Sequence, residues 1–508
     1  MSENRAVKMI SLGCSKNRVD SEVMLGLLKE AGYKVVGSSD PADVLIINTC
    51  AFIKDAVRES LGTILREAQK KGRGGFEYLV VTGCLPQRYG KSLMDTVPAI
   101  DGIASTFDYD TIVQVVDDIV KHGKRPRASG IRGSLTVGSG VQQTRPRVIT
   151  TPPWTAYVKI AEGCDNRCSY CMIPRLRGPL KSRHREDIRD EVRYLATIGA
   201  KEIILVAQDV TLYGRDIYGP TRESPLISLL QDLEEIDGVE WIRLLYVHPI
   251  RLDDSLIRVL SESRKIVKYL DLPVQHASDR VLRLMGRPGS AEQYLNVIRK
   301  LRNRVDDVTL RSTFMIGFPG EDQQSFAQLL RFMTHARFDY AGFFLYSPEK
   351  PTPAFTLPGR VRDRVARRRL KRAATLQQLI SYSRNCRYLG TIVRVLIEGE
   401  VPQSSEPADP LSLLQARQVG SRSAGAPMEM GSGENGLARA TRKEWQGARY
   451  GAGPALWLGR HQGQAPEVDG AVLVRSPSGA DVRPGRFVDV KITAATAYDL
   501  VGDFIRCS

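Results

Sequence analysis

The sequence predicts an α/β fold in three parts: an N-terminal open parallel α/β sheet domain, a central partial (β/α)6 barrel and a small C-terminal β-barrel. Three observations predict it. Strands and helices alternate over residues 6–123, strand–helix units recur over residues 154–388, and residues 389–508 show strand patterns without helices. Alternating strands and helices are typical of parallel sheets covered by helices, whereas short strands alone are typical of barrels.

Length, charge and cysteine usage limit the class of protein. At 508 residues the chain exceeds one ordinary domain. Its 8 cysteines are too sparse for a disulfide scaffold and more often bind metal or do chemistry. The net charge of +16 suggests an acidic partner such as nucleic acid, with solubility alone as the open alternative. Residues 1–8 lack a signal-peptide pattern and no long apolar run follows, so we expect a cytoplasmic protein.

The N-terminal part, residues 6–123, shows strands separated by helices. Its predicted strands are 7–12, 43–48 and 77–82, and its predicted helices are 21–31 and 56–70. The helix predicted at 21–31 carries apolar residues at helical spacing and stops at Gly32. This alternation predicts a parallel sheet.

Three cysteines follow these strands at similar offsets. Cys14, Cys50 and Cys84 each lie just past the carboxyl end of a predicted strand. The carboxyl ends of parallel strands share one edge, where ligands bind, so we expect the three thiols to converge. Two alternatives remain open: three unrelated buried cysteines, and a three-cysteine zinc site, for which no histidine lies near these strands.

The central part, residues 154–388, follows a stretch at 124–153 that is rich in Arg, Gly, Ser, Thr and Pro and is typical of a linker. Its predicted strands are 157–161, 202–207, 241–246, 268–272, 308–316 and 340–346, and its predicted helices include 187–198, 226–235, 254–263, 291–304 and 326–336. Such units predict a partial barrel whose chemistry sits at the carboxyl ends of the strands.

A second cysteine motif lies at the start of this central part. Cys164, Cys168 and Cys171 are spaced C-x3-C-x2-C and follow the first predicted central strand. Three thiolates so close in sequence can hold three irons of a four-iron cube and leave the fourth iron open. An open coordination position distinguishes a catalytic from a structural metal site. The loop therefore predicts an iron–sulfur centre with chemistry at its open iron.

Other strand-end loops also carry polar groups. Gln208 begins the loop after the second central strand, and Gly-Phe-Pro-Gly-Glu at 317–321 follows the fifth. Glycines allow a ligand close to the backbone, although Gly-Pro loops are also ordinary turns. His276 is either an acid–base residue or a structural histidine. The basic run 360–372 is either a solvated helix face or a contact for a phosphate backbone.

The C-terminal part, residues 389–508, predicts a small β-barrel with a low-complexity insertion. Its predicted strands are 391–397, 471–474, 486–492 and 499–504. Residues 401–464 are dominated by Gly, Ser, Ala, Pro and Arg without periodicity, which predicts a disordered or loosely held insertion. Cys386 and Cys507 stand outside any motif spacing and are expected to be ordinary thiols.

These residues together resemble a known family. The C-x3-C-x2-C motif with Tyr170 before its last cysteine resembles the radical S-adenosylmethionine (SAM) superfamily. The N-terminal cysteines, the central barrel and the small C-terminal β domain resemble the methylthiotransferases, which join an auxiliary-cluster domain, a radical SAM domain and a TRAM domain. Segments similar to the RimO-type branch of that family are 11–22, 171–174, 177–178, 182–183 and 270–278.

The resemblance implies two 4Fe-4S clusters and SAM as cofactors. The implied cluster ligands are Cys164, Cys168 and Cys171 for the first cluster, and Cys14, Cys50 and Cys84 for the second. The implied SAM contacts are Tyr170, Gln208, Gly317, Gly320 and Glu321. In such enzymes SAM binds the open iron of the first cluster and yields a radical that removes hydrogen from an unactivated carbon. The second cluster carries the sulfur to be transferred.

The resemblance also implies a substrate. RimO-type enzymes add a methylthio group to the β-carbon of an aspartate in the twelfth small-subunit ribosomal protein, free or within the subunit, and need an electron donor such as a flavodoxin or ferredoxin. The slightly acidic C-terminal barrel agrees, because ribosomal proteins are basic. Two other hypotheses stay open: a transfer RNA methylthiotransferase, favoured by the overall charge, and a non-catalytic iron–sulfur or zinc protein that binds RNA.

Overall fold

The computed structural model describes residues 5–37, 40–122, 146–219, 223–401, 455–477 and 479–508. The chain divides into two compact units, Met1–Val239 with Ser347–Thr356, and Glu240–Tyr346 with Leu357–Ser508. None of the helices in these described ranges combines the length and apolar content that crossing a bilayer requires.

The first unit begins with an alternation of strands and helices, as the sequence predicts. Its elements are β1 (Ala6–Ser11), α1 (Ser15–Glu30), β2 (Lys34–Val35), β3 (Val44–Thr49), α2 (Lys54–Ala68), β4 (Tyr78–Gly83), α3 (Cys84–Tyr89), α4 (Lys91–Thr96), β5 (Gly102–Ser105) and α5 (Ile112–His122). The strands form one sheet in the order β2-β1-β3-β4-β5, with every neighbouring pair parallel. The predicted parallel sheet is confirmed.

Both faces of this sheet are covered by helices. Successive residues of β3 point to opposite faces, so Leu45 and Ile47 pack with Ile64 of α2, whereas Ile46 packs with Met24 of α1. Burial on both faces explains why β3 and β4 are nearly continuous apolar runs. Helix α1 begins at Ser15, earlier than the predicted start at residue 21, because buried polar residues in its first turns interrupt the apolar spacing.

The same unit continues into the start of the predicted barrel. Its further elements are β6 (Thr155–Lys159), β7 (Ala161–Glu162), α6 (Ile173–Leu176), β8 (Lys181–Ser182), α7 (Arg185–Thr197), β9 (Glu202–Val206), α8 (Arg215–Tyr218) and α9 (Pro225–Glu234). Strands β6 and β9 pair in parallel. The short strands β7 and β8 pair in antiparallel fashion at the two ends of one loop. The loop that carries Cys164, Cys168 and Cys171 is therefore anchored at both ends.

Part of the predicted linker at 124–153 packs on this unit. The Val148 N–H donates to the Glu22 carbonyl at 3.0 Å. The buried Arg147 forms ion pairs with Glu22 and Glu191. The end of the linker is thus held by α1 and α7, while residues 123–145 lie outside the described part of the chain.

The second unit holds the remaining predicted central strands and the C-terminal barrel. Its elements are β10 (Trp241–Leu244), α10 (Asp254–Glu262), β11 (Ile266–Asp271), α11 (Asp279–Leu284), α12 (Ala291–Arg304), β12 (Thr309–Ile316), α13 (Gln323–Ala336), β13 (Tyr340–Leu345), α14 (Asp363–Asn385), β14 (Ile392–Glu400), β15 (Ala455–His461), β16 (Val472–Ser476), β17 (Phe487–Ala495) and β18 (Leu500–Cys507). Strands β10, β11, β12 and β13 pair successively in parallel. The strand–helix alternation expected of the central part is confirmed.

The C-terminal strands form a closed barrel in the order β14-β15-β16-β18-β17, which confirms the predicted β-barrel. One strand differs from the prediction: β15 lies inside the stretch 401–464, for which the sequence predicts a loosely held insertion. The glycines of that stretch lower its predicted strand content. Gly459 is nevertheless needed in the barrel, because a Cβ there would lie 2.6 Å from the Leu396 carbonyl oxygen of β14. Residues 402–454 lie outside the described ranges.

Candidate functional site

The sheet of the first unit brings three cysteines to one edge. Cys14 follows β1, Cys50 follows β3 directly, and Cys84 follows β4 directly. These strands are neighbours in the sheet order, so their carboxyl ends adjoin. Gly13 has φ +97, and a Cβ on it would lie 2.7 Å from the Cys50 Cβ, so only glycine allows the two loops to approach this closely. The convergence predicted from the sequence is confirmed.

Two of these thiols, Cys50 and Cys84, have raised pKa values. Burial, together with Cys84 and Cys14, raises the pKa of Cys50 to about 12. Burial raises the pKa of Cys84 as well, and the Arg177 guanidinium opposes that rise through its charge and a hydrogen bond. A metal centre that binds such thiols must displace their protons, and its positive charge then stabilises the thiolates.

The second set of cysteines lies on the loop between β7 and β8. The Cys164 N–H donates to the Gly178 carbonyl at 3.1 Å, and the Cys171 N–H donates to the Cys168 carbonyl at 3.1 Å. Backbone N–H groups of Asn166 and Ile173 donate to the Sγ atoms of Cys164 and Cys171, each at 3.4 Å. Hydrogen bonds to ligating sulfurs are a feature by which proteins orient and tune iron–sulfur clusters.

Other contacts hold this loop in place. Gly163 has φ +67, and a Cβ on it would lie 1.9 Å from the Pro179 carbonyl oxygen, so no other residue fits. The Leu180 N–H donates to Asp165 Oδ1 at 2.9 Å. The Ser169 carbonyl accepts from the Ala354 N–H at 2.8 Å. The loop is therefore a fixed element whose cysteines have defined positions.

The donor chemistry of both sets suits iron–sulfur clusters. Among the described residues, no group of three His, Cys, Asp or Glu side chains is arranged to hold a single metal ion. Each cysteine of a four-iron cluster binds a different iron, so the ligands of a cluster stand further apart than the ligands of one ion. Three thiols at each place also leave one iron of a cube without a protein ligand.

Two of the predicted SAM contacts lie beside the loop cysteines in the first unit. Tyr170 is half-buried within the loop itself. Gln208 follows β9, and its Nε2 atom is buried without a hydrogen-bond partner among the described residues. The next residue, Asp209, accepts a hydrogen bond from the Asn166 side chain at 2.9 Å, which ties the two loops together. An orphaned buried amide at this position suits a polar ligand.

The other predicted contacts belong to the loop after β12 in the second unit. Gly317 and Gly320 have φ +80 and +85, as tight turns require. The carboxylate of Glu321 is buried and already engaged, because Oε2 accepts from the Gly317 N–H at 2.8 Å and Oε1 accepts from Arg369 at 2.7 Å. Glu321 is thus placed to shape the glycine loop, and the Gly320 N–H is also engaged, because it donates to the Gly359 carbonyl at 2.9 Å.

His276 lies next to Glu321 in the second unit. It is fully buried, and its Nδ1 accepts from the Ser278 N–H at 3.0 Å. This places the ring proton on Nε2, which lies 3.5 Å from Glu321 Oε2. Of the two interpretations of this histidine, the geometry favours the structural one.

Sequence reasoning missed a buried network of charges in the first unit. Arg177 lies 2.9 Å from Glu162 and 3.0 Å from Asp20, and Lys159 lies 2.8 Å from Glu162 and also pairs with Asp20. In the sequence, Arg177 stands out only as part of a family-like segment. The available signal was the group of polar residues that opens α1 before its apolar run, of which Asn17 and Asp20 join this network.

Comparisons with known proteins agree with this geometry. The Uncharacterized protein family UPF0004 matches residues 6–105, the Radical SAM superfamily matches residues 158–333, and the TRAM domain matches residues 451–505. These ranges contain the first cysteine set, the second cysteine set and most of the C-terminal barrel, respectively.

Relatives match over nearly the whole chain. A protein from Pelotomaculum thermopropionicum, named ribosomal protein uS12 methylthiotransferase RimO, is 42% identical over 499 residues, which cover 98% of this chain and 99% of that protein. A protein of the same name from Symbiobacterium thermophilum is 41% identical over 500 residues, covering 98% of this chain and 90% of that protein.

A solved structure supports the fold. The radical S-adenosylmethionine methyltransferase TsrM from Kitasatospora setae, with cobalamin and a 4Fe-4S cluster bound, matches with a TM-score of 0.51. The match covers 70% of this chain and 77% of that chain at 14% identity, so the likeness concerns the fold alone.

Proposed function

Because the chain belongs to the family of ribosomal protein uS12 methylthiotransferases, we infer that it adds a methylthio group to that ribosomal protein, at the β-carbon of an aspartate. The single observation that carries this inference is the 42% identity to such an enzyme over 98% of the chain. The cysteine sets at Cys14, Cys50 and Cys84 and at Cys164, Cys168 and Cys171 support it, since both supply the thiols that the chemistry needs.

The radical SAM superfamily match implies an iron–sulfur cluster and SAM as cofactors. We propose two 4Fe-4S clusters, one on each cysteine set. When bound, the cluster on the Cys164–Cys171 loop and SAM supply the radical that removes hydrogen from carbon, and the second cluster supplies sulfur.

The chain's own groups bind and orient these cofactors. The N–H groups of Asn166 and Ile173 hold the loop sulfurs. We propose that the Gln208 amide binds SAM and that Gly317 and Gly320 let SAM approach the loop closely, while Glu321 and Arg369 keep that glycine loop in shape. At the strand ends Cys84 is buried, whereas Cys14 and Cys50 are half-buried.

We propose four parts for the chain: an auxiliary-cluster domain at 6–123, a linker at 124–153, a radical SAM core at 154–388 and a TRAM barrel at 389–508. The insertion in the barrel then begins near residue 401 and ends before β15 rather than at 464. An electron donor of the flavodoxin or ferredoxin class would serve the clusters, and ribosomal substrates place the enzyme in the cytoplasm.

Mass spectrometry tests the proposed substrate. We expect uS12 from a strain that lacks this gene to lose the mass of one methylthio group on an aspartate, and a plasmid copy of the gene to restore it. Transfer RNA from the same strain should be unchanged. An unmodified transfer RNA beside normal uS12 would show that the transfer RNA alternative is correct.

The basic helix α14 supports a substrate that is part of the ribosomal subunit. The predicted basic run 360–372 continues into the first half of this helix, and its exposed cations are Arg364, Arg367, Arg368, Lys371 and Arg372. On the same helix Arg369 turns inward to the Glu321 loop. Phosphate groups bound along the outer face would therefore lie next to the proposed SAM loop.

Neutralising this face is expected to weaken binding to the small subunit. In a variant with Arg364, Arg367, Arg368 and Lys371 changed to Gln, the slope of log affinity against log salt should fall by about one for each phosphate that the helix no longer binds. Modification of free uS12 should remain. Arg299→Gln with Arg304→Gln on α12 is a control with exposed cations elsewhere. Unchanged salt dependence in the α14 variant would identify its basic face as merely solvated.

A further inference from the structure

Two cations and two carboxylates lie buried together where the two cysteine-bearing segments of the first unit meet. Asp20 belongs to α1, which begins directly after Cys14. Glu162 ends β7, two residues before Cys164, and Arg177 follows α6 at the other end of the loop. The network therefore joins the residues that flank each cysteine set.

Arg177 makes most of these contacts. Its side chain is 1% exposed, its Nη1 lies 2.9 Å from Glu162, and its Nη2 lies 3.0 Å from Asp20. Nη2 also donates to the Asn17 side chain, which in turn donates to the carbonyls of Leu12 and Thr49 at 2.9 and 3.0 Å. Those carbonyls belong to the segments just before Cys14 and Cys50. One guanidinium thus braces two of the three strand-end segments.

The two cations and the two carboxylates of the network neutralise one another without any contribution from the cysteines. Lys159 pairs with both carboxylates, Asp20 and Glu162, as Arg177 does. Each cation of the network thus contacts both carboxylates, and each carboxylate contacts both cations. A buried network of this kind is costly to break at one member, because the remaining charges lose their partners.

Arg177 also lies close to a thiol of the strand-end set. The Asn17 Oδ1 atom that accepts from Arg177 Nη2 also accepts from the Cys14 Sγ atom at 3.9 Å. Asn17 therefore stands between the guanidinium and Cys14, and the positive charge of Arg177 lies one side chain away from the strand-end set.

We propose that Arg177 is a positioning residue that fixes the Cys14, Cys50 and Cys84 set against the loop of the second set and raises the reduction potential of the cluster bound at the strand ends. The proposal rests on the two-cluster function proposed above. Reduction adds negative charge to a cluster, and a fixed buried cation beside its thiolates stabilises that charge. Arg177 touches neither substrate nor SAM in this proposal; it acts through the cysteines.

The test isolates the strand-end cluster in the full chain. Cys164, Cys168 and Cys171 are changed to alanine, the protein is reconstituted with iron and sulfide, and iron is counted before a redox titration followed by EPR. We expect about four irons per chain, as one cluster. Absence of iron in this parent would overturn the two-cluster function itself, and so separates that failure from failure of the Arg177 proposal.

Three variants are then compared in that parent. Arg177→Gln should shift the midpoint potential to a more negative value, and Arg177→Lys, which keeps the charge, should return it towards the parent value. Arg147→Gln removes another arginine that is buried between two carboxylates, Glu22 and Glu191, and should leave the potential unchanged. An equal shift in Arg147→Gln, or none in Arg177→Gln, overturns the proposal.

Loss of the cluster is also informative. If Arg177→Gln binds no iron, the Arg177→Lys variant decides: restored iron and a potential near that of the parent support a role for the charge. If neither Arg177 variant binds iron while Arg147→Gln binds it with the parent potential, the site requires the shape of the arginine guanidinium and not only its charge. That outcome contradicts the proposed effect of the Arg177 charge on the potential.

Discussion

Cys168→Ala is expected to abolish the cleavage of SAM. Cys168 is the middle cysteine of the loop set, and its carbonyl accepts the hydrogen bond from the Cys171 N–H at 3.1 Å. Removing its thiol leaves two protein ligands for a cluster that needs three, so the first cluster and its open iron are lost. Formation of 5′-deoxyadenosine by reduced, reconstituted protein should fall to background, and iron should fall from about eight to about four per chain.

The matched control for this loss is Cys386→Ala. Cys386 is a half-buried thiol outside both cysteine sets, as its sequence position predicts for an ordinary cysteine. Its replacement should leave both the iron count and SAM cleavage as in the wild type. Cleavage that persists in Cys168→Ala at the wild-type rate would show that the loop set does not hold the cluster at which SAM is cleaved.

The cysteine sets could be predicted because their signals are local. Strands β3 and β4 are mostly apolar runs that are buried almost throughout, and Cys50 and Cys84 directly follow them. Parallel pairing then places the strand ends at one edge without further information. The loop set is more local still, since its three cysteines lie within eight residues of one another, Cys164 to Cys171.

The network around Arg177 could not be predicted, because its partners are far apart in sequence. Asp20 and Lys159 are separated by 139 residues, and no periodic pattern connects them. The contacts of Glu321 could not be predicted from its local sequence either. Its position in a glycine loop suggests a ligand contact, but Arg369 and the Gly317 N–H already occupy its oxygens. Local sequence patterns predict which loop or helix a residue belongs to, whereas tertiary contacts decide what its side chain binds.

Strand β15 was missed for a related reason. Gly459 lowers the strand signal of its stretch, yet close packing of β15 on β14 is what requires that glycine. A residue that weakens a strand by propensity can thus be required by the approach of a neighbouring backbone. The low-complexity composition of residues 401–464 therefore hid a strand that closes the barrel.

Cys50→Ala is expected to separate the two halves of the reaction. Cys50 follows β3, a strand buried along its whole length, and its thiol is the one whose pKa burial and the other two cysteines raise to about 12. Its loss removes the strand-end cluster and leaves the loop cysteines intact. SAM cleavage should continue, while methylthio transfer to uS12 should fall to background, with 5′-deoxyadenosine and modified uS12 measured in the same reaction.

The control for this separation is Cys507→Ala, at a half-buried thiol on β18 whose Sγ donates to the Asp481 carbonyl at 3.4 Å. It should support both SAM cleavage and methylthio transfer. If Cys50→Ala still yields methylthio product, the strand-end set does not carry the sulfur. If it stops SAM cleavage as well, the two cysteine sets depend on each other through the buried contacts that join them, which include the Arg177 network.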